Sequence, residues 1–244
     1  MINVTDMHHF QENITMLSID ILLHAESPVP YNYQYELYSA IQSGIRTRNP
    51  NISTLIHNSR GVSLLNMSAL LPLKFEGVPR WQNARMFALV INTIDPDVAD
   101  AVSAVLTPGT SLRLNSCMFN VHSTKRMKMD FKYVPSLPEL KGRGPIVIRE
   151  KGKYYRVGDR EFELHLSSAL KRKADAVTGR NTVVRGLTID RGRAKVYQVG
   201  GHNVPASILS FILDADEDVI RTALIYGVGS KTQMGFGMVT VGEQ

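Results

Sequence analysis

The spacing of apolar residues along the first part of the chain changes between two periods. Alternation over Ile14–Ala25 predicts a strand. Over Tyr35–Arg48 the apolar residues recur at four-residue spacing, which predicts a helix with one buried face. Asn49 followed by Pro50 is typical of a helix start, so NISTLIHNS predicts a second, short helix with Gly61 just past its end.

The next segments complete one unit of alternating strands and helices. The pattern predicts strands at Val62–Leu73 and Arg85–Thr93, a helix over DPDVADAVSAVL that stops at TPG, and a strand at Ser111–Lys125. The order is strand, helices, strand, strand, helix, strand, which is the split βαβ order of a ferredoxin-like domain. We expect four antiparallel strands with the helices on one face.

After the proline-containing segment Tyr133–Pro145 the order of elements repeats. The predicted elements are a strand over PIVIRE, a helix at Arg160–Val177, strands over TVVRGLTI and AKVYQVG, a third strand or its lead-in over PASILSFIL, a helix at Asp214–Gly227 and a last strand at Met238–Val241. We therefore predict an α+β fold of two tandem ferredoxin-like domains with antiparallel sheets, residues 1–130 and 131–244. The duplication rests on element order alone.

Charge favours a polyanionic partner. The 28 Lys and Arg residues exceed the 22 Asp and Glu residues, and the basic ones gather in short clusters. The clusters are HSTKRMK (His122–Lys128), KGRG and REKGK (within Lys141–Lys153), KRK (Lys171–Lys173) and RGRAK (Arg191–Lys195). Each alone reads as a solvated surface, whereas together they favour a nucleic acid over a small anion.

Several classes of protein are disfavoured by what the sequence lacks. No apolar run reaches the roughly 18 residues of a membrane span, and the N-terminal segment lacks the pattern of a signal peptide, so we expect a cytoplasmic protein without membrane association. The single cysteine, Cys117, excludes an internal disulfide and is expected to be a small buried apolar residue. No histidine has partners at metal-ligand spacing, and we expect neither a metal nor another cofactor.

Near the end of the chain, the eleven-residue segment GVGSKTQMGFG (Gly227–Gly237) contains four glycines and one lysine. The segment is not a nucleotide-binding P-loop, because Ser230 separates Gly229 from Lys231 and a helix precedes it, which also argues against an ATPase. Glycines allow positive φ and close approach of a ligand to the backbone, so the pattern predicts a loop that cradles phosphates.

GVGSKTQMGFG resembles the carboxy-terminal glycine-rich signature of the RAMP superfamily, in particular its CRISPR repeat-RNA endoribonucleases. VPYNYQYELYSAI (Val29–Ile41) resembles the strand-to-first-helix segment of the same enzymes, and NPNISTLIHNSRG resembles the stretch where many of them carry a catalytic histidine, here His57. The resemblance implies metal-independent cleavage of the repeat in precursor CRISPR RNA. The ribose 2′-oxygen attacks the phosphorus and expels the 5′-oxygen, leaving a cyclic phosphate on the upstream product.

This resemblance implies roles for particular residues. His57 would transfer a proton, and Arg60 or Lys231 would supply positive charge at the phosphorus, with Arg46 a weaker candidate. The chain departs from the fullest family pattern, because Gln42 stands where some members carry a tyrosine and Ser63 where they carry a lysine. The expected RNA-binding residues are Gly227, Gly229, Ser230, Lys231, Thr232, Gly235, Gly237, Gln42, Arg46, Lys125, Arg126 and Lys128.

Other interpretations are open at this level. His57 follows apolar residues on a short helix, so it could serve packing alone. Tyr38 could position the ribose, although a core-edge tyrosine is favoured. The chain could be a repeat-binding RAMP subunit of a CRISPR effector complex that cleaves nothing, and association with other effector subunits or pairing of two chains is compatible with the sequence. An unrelated single-stranded-RNA-binding sheet is disfavoured, because aromatic residues make up only 7% of the chain.

Overall fold

A computed structural model of the chain describes residues 15–59, 61–115, 117–130 and 134–242. The first sheet is built from residues 15–130 and the second from residues 139–241. None of the described helices is both long and apolar enough to cross a membrane.

The first sheet has the ferredoxin-like strand order. Its elements are β1 (Thr15–Ala25), α1 (Gln34–Arg48), α2 (Pro50–Asn58), β2 (Asn66–Met67), β3 (Leu71–Phe75), β4 (Ala84–Thr93), α3 (Pro96–Val105), β5 (Ser111–Arg113) and β6 (Met118–Asp130). The strands run in the order β2-β4-β1-β6-β5, with β3 also pairing with β4, and every pair is antiparallel. The predicted fold class is therefore confirmed in this half.

Local sequence signals explain the helices of this half. The apolar face of α1 is buried through Leu37, Ile41 and Ile45, as the four-residue spacing predicts. The side chain of Asn49 accepts a hydrogen bond from the backbone N–H of Ile52 at 3.2 Å, which caps α2. Cys117 is buried as a free thiol among the apolar residues of this core, as expected.

The predicted strand at Val62–Leu73 is wrong in its extent. The structure has two short strands there, β2 and β3, because Ser68 interrupts the ladder between them. The Ser68 backbone N–H donates to the Val90 carbonyl at 2.9 Å, and the Ser68 hydroxyl accepts from the Val90 N–H at 3.0 Å. A side-chain oxygen thus takes the place of a backbone carbonyl, and regular pairing stops.

The second sheet repeats the same topology. Its half contains β7 (Glu139–Gly142), β8 (Ile148–Glu150), β9 (Lys153–Tyr155), α4 (Phe162–Thr178), β10 (Val184–Val199), β11 (His202–Ala215), α5 (Glu217–Tyr226) and β12 (Val239–Val241). The strand order is β10-β11-β7-β12, which is the order of the first sheet with β7 in the place of β1. Strands β8 and β9 form a separate hairpin.

Two strand assignments of this half need correction. The first strand of the second sheet is β7, inside the segment predicted as a break, whereas the end of PIVIRE forms β8 of the separate hairpin. In β7 only Leu140 is fully buried, so four residues carry too little alternation to predict a strand. TVVRGLTI and AKVYQVG are one strand, β10, which pairs with β11 along its whole length: the register shifts at Asp190, and Gly192 then pairs with Leu209.

The turn of this long hairpin lies further on, at Gly200 and Gly201. Both residues have positive φ, 57° and 80°, as a two-residue hairpin turn requires. PASILSFIL is therefore the middle of β11.

Candidate active site

The glycine-rich loop follows α5 and consists of residues Gly227–Gly237. All four of its glycines have positive φ: Gly227, Gly229, Gly235 and Gly237, at 73°, 74°, 81° and 74°. Lys231 also has positive φ, 62°, and within the described part of the chain only Lys151 shares this among non-glycine residues. Positive φ strains a residue with a Cβ, so the loop holds Lys231 in a conformation that its own backbone does not favour.

The glycines are required by the close packing of the loop. A Cβ on Gly237 would lie 2.0 Å from the Val228 carbonyl oxygen, and a Cβ on Gly229 would lie 2.3 Å from the Val147 carbonyl oxygen. Backbone hydrogen bonds join the same segments. The N–H of Val228 donates to the Gly237 carbonyl at 2.7 Å, and the N–H of Ser230 donates to the Val147 carbonyl at 2.9 Å. The conformation of the loop is therefore fixed by its own backbone contacts and by those with Val147.

This loop is bound to the first half of the protein. The Ser63 hydroxyl donates to the side-chain oxygen of Gln233 at 3.2 Å, and the Asn66 amide donates to the Ile225 carbonyl at 3.1 Å. The side chain of Met234 packs against the core of the first half. Segments more than 150 residues apart in sequence thus meet directly after α2.

His57 lies in the last turn of α2 with its side chain exposed. Ile52 and Ile56 supply the buried face of this helix, so His57 is not needed for packing. Helix α1 packs against both α2 and the 3₁₀ turn Thr232–Met234 of the glycine-rich loop. The helix that carries the histidine and the loop therefore share α1 as a neighbour.

Gln42 connects α1 to α2 beside the histidine. Its side-chain oxygen accepts a hydrogen bond from the Ser53 hydroxyl at 3.4 Å, and Ser53 precedes His57 by one helical turn on the same face. The side-chain nitrogen of Gln42 is buried and has no partner among the described residues. Tyr38, one turn earlier on α1, is buried, and burial raises its pKa, in agreement with a core-edge position.

Two positive charges lie close together at the glycine-rich loop, those of Lys231 and Arg149. Burial lowers the pKa of Lys231, and the nearby charge of Arg149 lowers it further. Arg149 is close because the Val147 segment forms a bridge with Ser230. Neither cation has a carboxylate partner in the described part of the chain, so the pair suits an anion such as a phosphate. Arg149 belongs to the basic cluster REKGK, but nothing local singles it out.

The other predicted residues are dispersed. Arg46 is exposed in the last turn of α1, and Arg60 lies outside the described residues. On β6, Lys125 is paired with Asp20, so it points to the face of the sheet opposite its helices. Arg126 and Lys128 are paired with the core residues Ile19 and Leu17 and point to the helix side, where Arg126 forms an ion pair with Asp100. The three basic residues of β6 therefore do not share one face.

A second candidate surface was not predicted, and we call it the aromatic–basic cleft: Tyr31, Trp81, Arg143, Lys195 and Tyr197. The cleft measures about 300 Å³. The Tyr31 and Trp81 ring centroids are 5.7 Å apart, and the Lys195 ammonium lies 3.8 Å from the Tyr31 centroid and 5.1 Å from that of Tyr197. Tyr31 is 53% exposed. The residues come from separate segments, which explains why sequence inspection finds no aromatic cluster.

The cleft adjoins the glycine-rich loop. Tyr197 contacts Phe236 of the loop edge-on, with ring centroids 5.5 Å apart. Just beyond Arg143, the carbonyl of Pro145 accepts from the N–H of Gly237 at 2.9 Å. In the described part of the chain, no three His, Cys, Asp or Glu side chains are grouped as a metal site would require.

Comparison with known proteins gives matches in both halves. A family model described as CRISPR associated protein Cas6, C-terminal, matches residues 137–241, and one described as CRISPR-associated protein Cas6, N-terminal, matches residues 28–125. The CRISPR-associated endoribonuclease Cas6 of Pyrococcus furiosus is 26% identical over 87% of this chain and 83% of its own length. CRISPR-associated endoribonuclease Cas6 1 of Methanocaldococcus jannaschii is 25% identical over 86% of each chain.

Solved structures agree in fold. A RAMP protein described as binding different RNA substrates superposes with a TM-score of 0.77 and 22% identity, covering 93% of this chain and 100% of its own. A structure described as CRISPR associated protein Cas6 has a TM-score of 0.72 and 24% identity over 93% and 100% of the two chains. With two separate models of one family matching residues 28–125 and 137–241, which together are more than half of the chain, the chain belongs to the Cas6 family.

Proposed function

We propose that this protein is a metal-independent endoribonuclease that cleaves CRISPR repeat RNA in the precursor transcript and so produces mature guide RNAs. The observation that carries the proposal is the placement of His57, exposed on α2, next to a helix that also packs on the glycine-rich loop. An imidazole open to solvent, on a helix that shares α1 as a neighbour with a loop whose lysine has no carboxylate partner among the described residues, suits proton transfer at a phosphodiester.

In the proposed reaction the bond from the 2′-oxygen to phosphorus forms as the bond from phosphorus to the 5′-oxygen breaks. One group removes the proton of the 2′-hydroxyl, and another protonates the leaving 5′-oxygen; His57 is suited to either role near neutral pH. Lys231 and Arg149 oppose the additional negative charge on the phosphoryl oxygens. The upstream product ends in a 2′,3′-cyclic phosphate and the downstream product in a 5′-hydroxyl.

The alternative is a repeat-binding subunit without catalytic activity, and cleavage in EDTA separates the two. We expect the purified chain, incubated with an RNA that contains the repeat of its own source and with excess EDTA, to give a shortened upstream product. A phosphomonoesterase will not remove its terminal phosphate until acid opens the ring. An intact RNA that is shifted on a native gel would contradict the proposed activity.

A substrate with a single 2′-deoxyribose upstream of the mapped cut is the matched control. It lacks the nucleophile, so we expect binding without cleavage. Cleavage of this RNA at the same bond would exclude attack by the 2′-oxygen.

The aromatic–basic cleft is proposed to hold a single-stranded part of the RNA. The exposed ring of Tyr31 can accept a stacked base of any sequence, and Arg143 and Lys195 can bind the neighbouring phosphates. The buried contact between Tyr197 and Phe236 packs one wall of the cleft against the glycine-rich loop, so an RNA strand in the cleft would lie close to that loop.

Removal of one ring of this cleft is expected to weaken binding. Base–aromatic stacking contributes about 1–3 kcal/mol, so Tyr31→Ala should raise the Kd for repeat RNA roughly 5- to 150-fold. Tyr35→Ala is the control, because Tyr35 is also exposed, 44%, and lies outside the cleft. Fluorescence anisotropy with labelled repeat RNA measures both; equal Kd values for the two variants would contradict a role for the cleft.

A further inference from the structure

Lys173 of α4 lies behind the glycine-rich loop, and the catalytic proposal does not use it. Its ammonium is within hydrogen-bond distance of three carbonyl oxygens, those of Tyr226 at 3.3 Å, Gly227 at 2.8 Å and Gly229 at 3.1 Å. These carbonyls belong to the end of α5 and the start of the loop. One ammonium therefore binds three carbonyl groups within the four residues 226–229.

Each of the three peptide groups is also held at its other end. The carbonyl of one residue and the N–H of the next lie in one planar peptide unit. The N–H groups of these three peptide units belong to Gly227, Val228 and Ser230. They donate, in that order, to the carbonyl oxygens of Ala223, Gly237 and Val147. Lys173 thus binds the oxygen side of the same peptide groups that connect the loop to α5, to its own far end and to the segment before β8.

The environment of Lys173 differs from that of its neighbours. Lys171 and Arg172 on the same helix form ion pairs with Asp175 and Glu150. Lys173 has no carboxylate partner among the described residues, and burial lowers its pKa to about 7. Enclosing an ammonium without a counter-ion is costly, so the three carbonyl oxygens are the groups that replace its lost hydration.

We propose that Lys173 is a positioning residue that closes the glycine-rich loop from behind and so holds Lys231 where it meets an RNA phosphate. The part concerning RNA rests on the proposed function, whereas the closure of the loop can be measured without RNA. Lys231 depends on this support because its own backbone conformation is strained.

Hydrogen–deuterium exchange of the RNA-free protein tests the closure. We expect Lys173→Met to speed exchange of the peptide containing residues 226–238 about 10-fold or more, because a bond to a charged donor protects the amides of the same peptide groups. Lys171→Met, which removes a half-buried lysine from the same helix that bonds Asp175 and not the loop, is the control and should leave this peptide as in the wild type. Wild-type exchange in folded Lys173→Met, or equal acceleration in Lys171→Met, would overturn the proposal.

Single-turnover cleavage tests the consequence for RNA. We expect Lys173→Met to lower the rate at saturating protein about 10-fold or more, with a smaller change in Kd; an unchanged rate would overturn the positioning role. If the methionine variant does not fold, Lys173→Gln, which keeps two N–H donors, is measured with the same two outcomes. A wild type that cleaves no repeat RNA refutes the proposed function instead, and the exchange result still decides whether Lys173 closes the loop.

Discussion

His57→Ala is expected to bind repeat RNA as the wild type does and to cleave it about 10²- to 10⁴-fold more slowly, which is the usual cost of losing one proton-transfer group. The side chain is exposed, and Ile52 and Ile56 form the buried face of α2, so the truncation removes no packing. Fold and affinity should therefore be retained. The measurement is single-turnover cleavage at saturating protein, with a separate anisotropy titration for affinity.

The matched control is His202→Ala, because His202 is also exposed but lies at the start of β11 in the other half of the chain. We expect its cleavage rate to equal that of the wild type. Cleavage by His57→Ala at the wild-type rate would remove His57 from the mechanism. Equal losses in both variants would indicate a general effect of removing surface imidazoles.

Gly237→Ala is expected to destabilise the protein by about 2–5 kcal/mol and to reduce cleavage with it. A residue with a Cβ in the left-handed region costs roughly 1–2 kcal/mol, and φ of Gly237 is 74°. The added Cβ would also lie 2.0 Å from the Val228 carbonyl oxygen, and such overpacking typically costs a further 1–3 kcal/mol or so. The Val228 carbonyl is backbone, so the loop has to open to relieve the contact.

Gly201→Ala separates the two causes. Gly201 has a φ of 80°, but no heavy atom lies within 4 Å of the position of its Cβ. We expect it to lose only the roughly 1–2 kcal/mol of backbone strain. Urea unfolding measures both variants, and equal losses of unfolding free energy would show that the glycine-rich loop is not as closely packed as described.

Much of the fold could be predicted because its signals are local. The α1 face of Leu37, Ile41 and Ile45 and the cap of α2 by Asn49 depend on residues spaced three or four positions apart. Strand β7 could not be predicted, because only its pairing with β11 and β12 defines it. The joining of two predicted strands into β10 likewise depends on its partner, β11, and not on its own residues.

The candidate site divides in the same way. The glycine spacing of residues 227–237 and the segment around His57 are legible in the sequence, because each is a contiguous motif. The sequence does not show that these two motifs lie near each other, because the contacts that bring them together, through α1 and the Ser63–Gln233 hydrogen bond, join segments 170 residues apart. The same holds for the roles proposed for Arg149 and Lys173, which belong to unremarkable basic clusters until the chain folds.

The helices, the ferredoxin-like class of the fold and the two motifs that mark the family can be read from the amino-acid sequence alone. Tertiary packing is what encloses the Lys173 ammonium among carbonyls while Lys171 pairs with Asp175, and what brings Tyr31, Trp81 and Lys195 into one cleft. The physical reason is that periodicity and capping act over one or two turns of chain. Burial and charge at a site depend on which distant segments fold against it.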